Sequence, residues 1–134
     1  MPHHRAPQAG ARYYLPKYEF KTVVAFCFQY PELKRKLRDI DGYHAVVNDG
    51  MPHGTGKSDP VAYDAMKRAE IQEKIDIIEQ TTKEHTGILY KWMIQGITDE
   101  TMTYNRLRNQ GIPISKNLYS DLRRKVYYHI AQRI

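Results

Sequence analysis

The chain has 134 residues, of which 41% are hydrophobic, and a formal net charge of +6 with a mean hydropathy of −0.70. That is enough chain for one domain or two small lobes, and no apolar run approaches the roughly 20 residues that a membrane-spanning helix needs. The single cysteine, Cys27, excludes an internal disulfide and fits a reducing cytoplasm.

The charge is segregated. Residues 1–58 carry nine basic and five acidic side chains, residues 59–85 four and seven, and residues 86–134 eight and three. A basic C-terminal third beside an acidic middle points to an anionic partner for the former and a protein contact for the latter.

Residues 1–16, rich in Pro and poor in aliphatics, read as a flexible arm without the apolar stretch of a signal peptide. From Lys17 the pattern turns helical, with Phe20, Val23, Val24, Cys27 and Phe28 spaced for one face. Pro31 interrupts, because proline fits the first turn of a helix but not its interior. The expectation is one helix to about Gln29 and a second from Pro31 to Ile40, with Leu33, Leu37 and Ile40 inward. Lys34, Arg35, Lys36 and Arg38 form a solvated basic face.

Residues 41–59 read as a Gly-rich connector. Pro60 then opens a long helix reaching Thr82, capped by Ser58 or Asp59. Its apolar line runs through Ala62, Met66 and Ala69 and continues, shifted, through Ile71, Ile75 and Ile78. Residues 17–85 therefore form an N-terminal helical region. Three shorter elements follow over residues 86–134. The first, ILYKWMIQG, has Gly96 as its C-cap. The second starts at Thr98 and stops at Gly111. The third follows Pro113, is capped by Ser115 and runs to the end.

The connector contains GMPHGTGKSDP, whose GTGKS resembles the end of a phosphate-binding P-loop. The spacing is wrong. The motif G-x-x-x-x-G-K-[ST] needs a glycine where Met51 stands, since backbone N–H groups must curl around a phosphate. Asp59-Pro60 also separates the Lys-Ser pair from the helix that should aim at the phosphates. Nucleotide binding is not expected. The six histidines are scattered, no carboxylate pair stands out, and one cysteine without a Cys-His cluster does not make a standard structural zinc site. Neither an enzyme, a metal nor a cofactor is expected.

The last three elements have the lengths and joints of a helix-turn-helix unit: a support, a helix crossing the backbone, a turn QGIPIS, and a recognition helix. In the third element Leu118, Leu122, Val126 and Ile130 read as inward. Lys116, Asn117, Tyr119, Ser120, Arg123 and Arg124 read as outward. Arg and Asn can read bases bidentately, while Ser, Lys and Tyr suit phosphate or sugar. Arg106 and Arg108 on the preceding helix could hold phosphates.

The combination QYPELKRKL, then GMPHGTGKSDPVAYDAMKR, then ILYKWMIQG ahead of a basic terminal helix resembles the phage late-transcription regulators of the RinA/ArpU type. The resemblance covers roughly residues 18–134, and the connector is its most specific part. It implies promoter binding and activation of late genes in a bacterial host, through a C-terminal helix-turn-helix like sigma-factor region four. The matching recognition positions are Ser115, Lys116, Asn117, Tyr119, Ser120 and Arg123. The turn here is longer than in sigma-like units and contains Pro113.

The expected molecule is all-α: a helical hairpin and long helix, then a basic helix-turn-helix on double-stranded DNA, with the acidic helix facing a second copy or host RNA polymerase. Two other classes fit the same pattern. A phage DNA-packaging adaptor, like a small terminase subunit, would form a large ring. A protein-interaction module would show no salt-dependent DNA affinity.

Overall fold

The computed structural model describes residues 12–47 and 60–134, and every regular element in them is helical. The order is α1 Lys17–Phe28, α2 Tyr30–Val47, α3 Pro60–Thr86, a 3-10 turn Gly87–Leu89, α4 Tyr90–Thr98, α5 Tyr104–Asn109 and α6 Lys116–Ala131. The GTGKS stretch lies outside the described residues. No helix among them is long and apolar enough to cross a membrane.

The α1–α2 break falls at the expected proline. Pro31 has no N–H to continue the ladder, so the Gln29 N–H closes α1 on Cys27 and Phe26, and Leu33 N–H restarts on Gln29 O at 2.8 Å. α2 does not stop at Ile40. It runs through Gly42 to Val47, into the segment that composition assigns to the connector. Glycine costs a helix roughly 1 kcal/mol, which tertiary packing easily overrides.

α2 packs along the long helix α3 as a hairpin, whereas the expected hairpin is α1 with α2, the long helix lying against it. Leu33, Ile71 and Ile75 are buried between them, with Tyr30, Leu37 and Ile40 packed alongside. Arg68 Nε donates to Asp41 Oδ1 at 2.8 Å further out along the pair. Tyr30 donates its hydroxyl to Glu79 across the same interface. The shifted apolar line of α3 has a structural meaning. Ile71, Ile75 and Ile78 are buried, whereas Met66 and Ala69 are exposed on the described surface.

α3 runs one turn past Thr82 to Thr86. The buried Thr82 and Thr86 hydroxyls donate to the carbonyls of Ile78 and Thr82, at 2.7 and 2.6 Å, so burial leaves neither hydroxyl unpaired. Gly87, at φ +54, then ends the helix in the left-handed region.

The main core joins the two ends of the chain. Leu15, Phe20, Val23, Val24 and Cys27 pack against Ile78, Ile97, Val126, Tyr127 and Ile130. Phe20 meets Tyr127 edge-on at 6.0 Å, and the Tyr127 hydroxyl donates to Ile97 O at 3.1 Å. Residues 17–85 and 86–134 thus share one core. The end of the N-terminal arm belongs to it too, since Leu15 is buried.

Candidate nucleic-acid interface

The C-terminal elements surround a second, smaller core. Met93 of α4, Leu107 of α5, Ile112 of the turn and Tyr119 of α6 are buried together. Local chemistry sets the joints. α4 does not stop at Gly96 but runs to Thr98. Gly96 is buried against α6, where a Cβ would collide with the Tyr119 hydroxyl. It is a close-approach glycine rather than a cap.

α5 begins six residues later than the Thr98 start read from sequence. Asp99 Oδ1 accepts from the Thr101 backbone N–H at 2.9 Å and from its hydroxyl at 2.7 Å, which holds a turn there instead. Thr103 is the N-cap, accepting from Arg106 N–H. α5 ends in a Schellman turn: Ile112 N–H reaches Leu107 O at 3.1 Å over Gly111 at φ +96. Ile112 and Leu107 are both buried, which supplies the apolar contact of that motif. Ser115 caps α6 as expected, its Oγ accepting from Leu118 N–H at 3.2 Å. Tyr104 pins the turn by donating its hydroxyl to Ile114 O at 2.6 Å.

The expected site residues divide. Lys116 and Asn117 stand exposed on the first turn of α6, beside the exposed cap Ser115, and Ser120 is half-buried one turn on. Arg106 and Arg108 are exposed on α5, with Arg106 Nη1 donating to Thr101 O at 3.2 Å. Arg124 faces out but pairs with Asp121 at 3.4 Å.

Two placements correct the sequence reading. Tyr119, read as outward, is 2% exposed and forms the centre of the small core, while Leu118, read as inward, is 46% exposed. Arg123 is half-buried and lies over the Tyr119 ring, its guanidinium carbon 5.3 Å from the centroid, with Nη1 3.5 Å from the hydroxyl. The cause is helical geometry. Steps of four residues turn about 40° too far each time, so a stripe at 118, 122, 126 and 130 drifts off one face. The face actually buried is Tyr119, Val126, Tyr127 and Ile130. Mixed spacings of three and four were the signal that would have found it.

Burial raises the Tyr119 phenol above its ordinary range against the opposing pull of Arg123, so the ring stays neutral. The polar surface these elements present is Arg106 and Arg108 on α5 and Ser115, Lys116, Asn117, Ser120 and the Asp121–Arg124 pair on α6. Among the described residues no cluster of three or more His, Cys, Asp or Glu could hold a metal ion. A shallow groove of about 550 Å³ along α3 is lined by Ala69, Glu73, Asp76 and Ile77, with Arg68 and Arg133. Both arginines are already engaged, with Asp41 and Glu84 respectively.

No protein-family model, no curated protein and no solved structure matches the chain. The resemblance to phage late regulators therefore rests on the quoted residues alone.

Proposed function

We propose that this protein is a sequence-specific DNA-binding transcriptional regulator in which α4, α5 and α6 act as a helix-turn-helix. The observation that supports this most is the capped, tightly turned α5–α6 joint. It rests on its own small core and leaves Lys116 and Asn117 exposed at the start of a sixteen-residue helix. Contacts in this motif come from the N-terminal part of the second helix, the part left exposed here. The resemblance suggests an activator of phage late genes in the cytoplasm of a bacterial host, with host RNA polymerase or a second copy on the acidic helix.

Asn117 is the base-reading candidate and Arg108 the phosphate candidate. Arg123 and Tyr119 support the helix rather than touch DNA. Asn117→Ala should reduce discrimination at one base pair by about 1–3 kcal/mol. Arg108→Ala should weaken binding equally on all sequences and lower the salt slope by about 1. Both effects are read by fluorescence-anisotropy titration at several salt concentrations.

A second reading has its own observation. Asp121 and Leu118 are exposed on the same helix as Lys116 and Asn117, a composition that suits a protein partner. The deciding experiment is a gel-shift titration on phage genomic fragments against random competitor at two salt concentrations. A fragment retained at physiological salt supports the regulator. Uniform binding erased by salt, with a large ring by light scattering, supports a packaging adaptor. Absence of DNA binding supports the protein-interaction module.

A further inference from the structure

Two histidines lie face to face where α3 meets the last turns of α6. The rings of His85 and His129 are 3.9 Å apart at their centroids and only 10° from parallel. The N-terminal segment docks against the same place. The Tyr13 ring is 5.7 Å from Tyr128 and 6.1 Å from His129, and Tyr128 stands edge-on to His129 at 5.3 Å.

The charged neighbours come from each element that meets there. α6 supplies Lys125, one turn before His129, and the residues just past its C-cap supply Arg133. α3 supplies Glu84, next to His85. The N-terminal segment supplies Arg12, whose guanidinium lies 5.4 Å from the Tyr13 centroid. Glu84 is the carboxylate acting on the pair, and its Oε2 already accepts from Arg133 Nη2 at 2.6 Å. A positive charge arriving on the stack therefore meets Lys125, while Arg133 and Glu84 are paired with each other beside it.

We propose that His85 and His129 form a proton-sensitive latch between α3 and the C-terminal turns of α6, closed while the imidazoles are neutral and opened when both are protonated. Two neutral imidazoles stack as aromatic rings, whereas two imidazolium ions at this distance repel. Burial, the neighbouring ring and Lys125 hold His85 below the ordinary histidine range, with Glu84 opposing. Burial, Lys125 and Arg133 do the same for His129.

The sign of the pH effect follows. The unfolded chain takes up protons at about pH 6.5, and the folded pair resists them. The stability that the neutral pair contributes is complete above about pH 6.5 and is lost as pH falls from there through the lower folded values. Opening releases the Tyr13 segment and the end of α6 while leaving the small core around Met93 and Tyr119 intact. The latch is independent of the DNA-binding reading.

The test is an NMR titration of the full chain from pH 8 to pH 5, with the imidazole signals assigned through His85→Gln and His129→Gln. The expected result is two midpoints below 6.5, each moving up when the partner is glutamine. Midpoints near 6.5 that ignore the partner would overturn the latch. Thermal melts give a second reading. Between pH 7.5 and pH 5.5 the native chain should lose several degrees of Tm more than His85→Phe/His129→Phe, which keeps two stacked rings without titratable groups. If the double variant does not fold, His85→Gln serves in the same comparison. Equal losses would refute the proposal. Trp92, the one tryptophan, packs on the small core. Its emission should stay constant while the histidines titrate, and a shift in step with them would mean global unfolding rather than a latch.

Discussion

The α2–α3 hairpin and the α4–α5–α6 unit are held together in different ways. The hairpin is long and regular. α3 alone has 27 residues, about 40 Å, and the two helices meet along a seam of Leu33, Ile71 and Ile75 with Tyr30, Leu37 and Ile40 alongside, crossed by the Arg68–Asp41 and Tyr30–Glu79 bonds. Towards its far end Tyr63 and Met66 are 64% and 67% exposed. The C-terminal unit uses short helices whose ends are fixed one hydrogen bond at a time: Thr98 on Ile94 O, the Asp99 turn, the Thr103 cap, the Gly111 turn and the Ser115 cap. A seam tolerates local change because its energy is spread along many side chains. A joint does not, because one group carries it.

Four substitutions test that contrast. Gly96→Ala puts a methyl where the Tyr119 hydroxyl sits and should destabilise by about 1–3 kcal/mol in urea unfolding, as overpacking does. Adding Tyr119→Phe should recover part of the loss, since it removes the closest colliding atom. A double mutant no better than Gly96→Ala would place the strain elsewhere. Ser115→Ala removes the α6 cap and should cost roughly 0.5–2 kcal/mol in the same assay. Met66→Gln, on the exposed hairpin surface, should change stability by less than about 0.5 kcal/mol. A large loss there would show that the far end of the hairpin is not the tolerant region described.

Sequence carried the features that depend on local chemistry. Pro31 marked the α1–α2 break, Pro60 the start of α3, and Ser115 the α6 cap. It failed where partners far along the chain decide. Gly96 looks like a helix stop until Tyr119, twenty-three residues later, is known to lie against it. Gly42 looks like a connector until α3 is packed beside α2. In the candidate site, Lys116 and Asn117 were legible because a capped N-terminus fixes its own first turn. Tyr119 and Arg123 were not, because a tyrosine among leucines reads as surface until the rotation of the whole helix is fixed by Val126, Tyr127 and Ile130.

The fully buried Cys27 has a practical consequence. Its thiol lies in the core that joins α1 to α6, with no exposed surface, and burial pushes it far above the range in which a reactive thiolate forms. A thiol reagent cannot reach it while the fold is closed. The rate at which the intact chain is alkylated therefore counts openings of the α1–α6 core, and needs no introduced label.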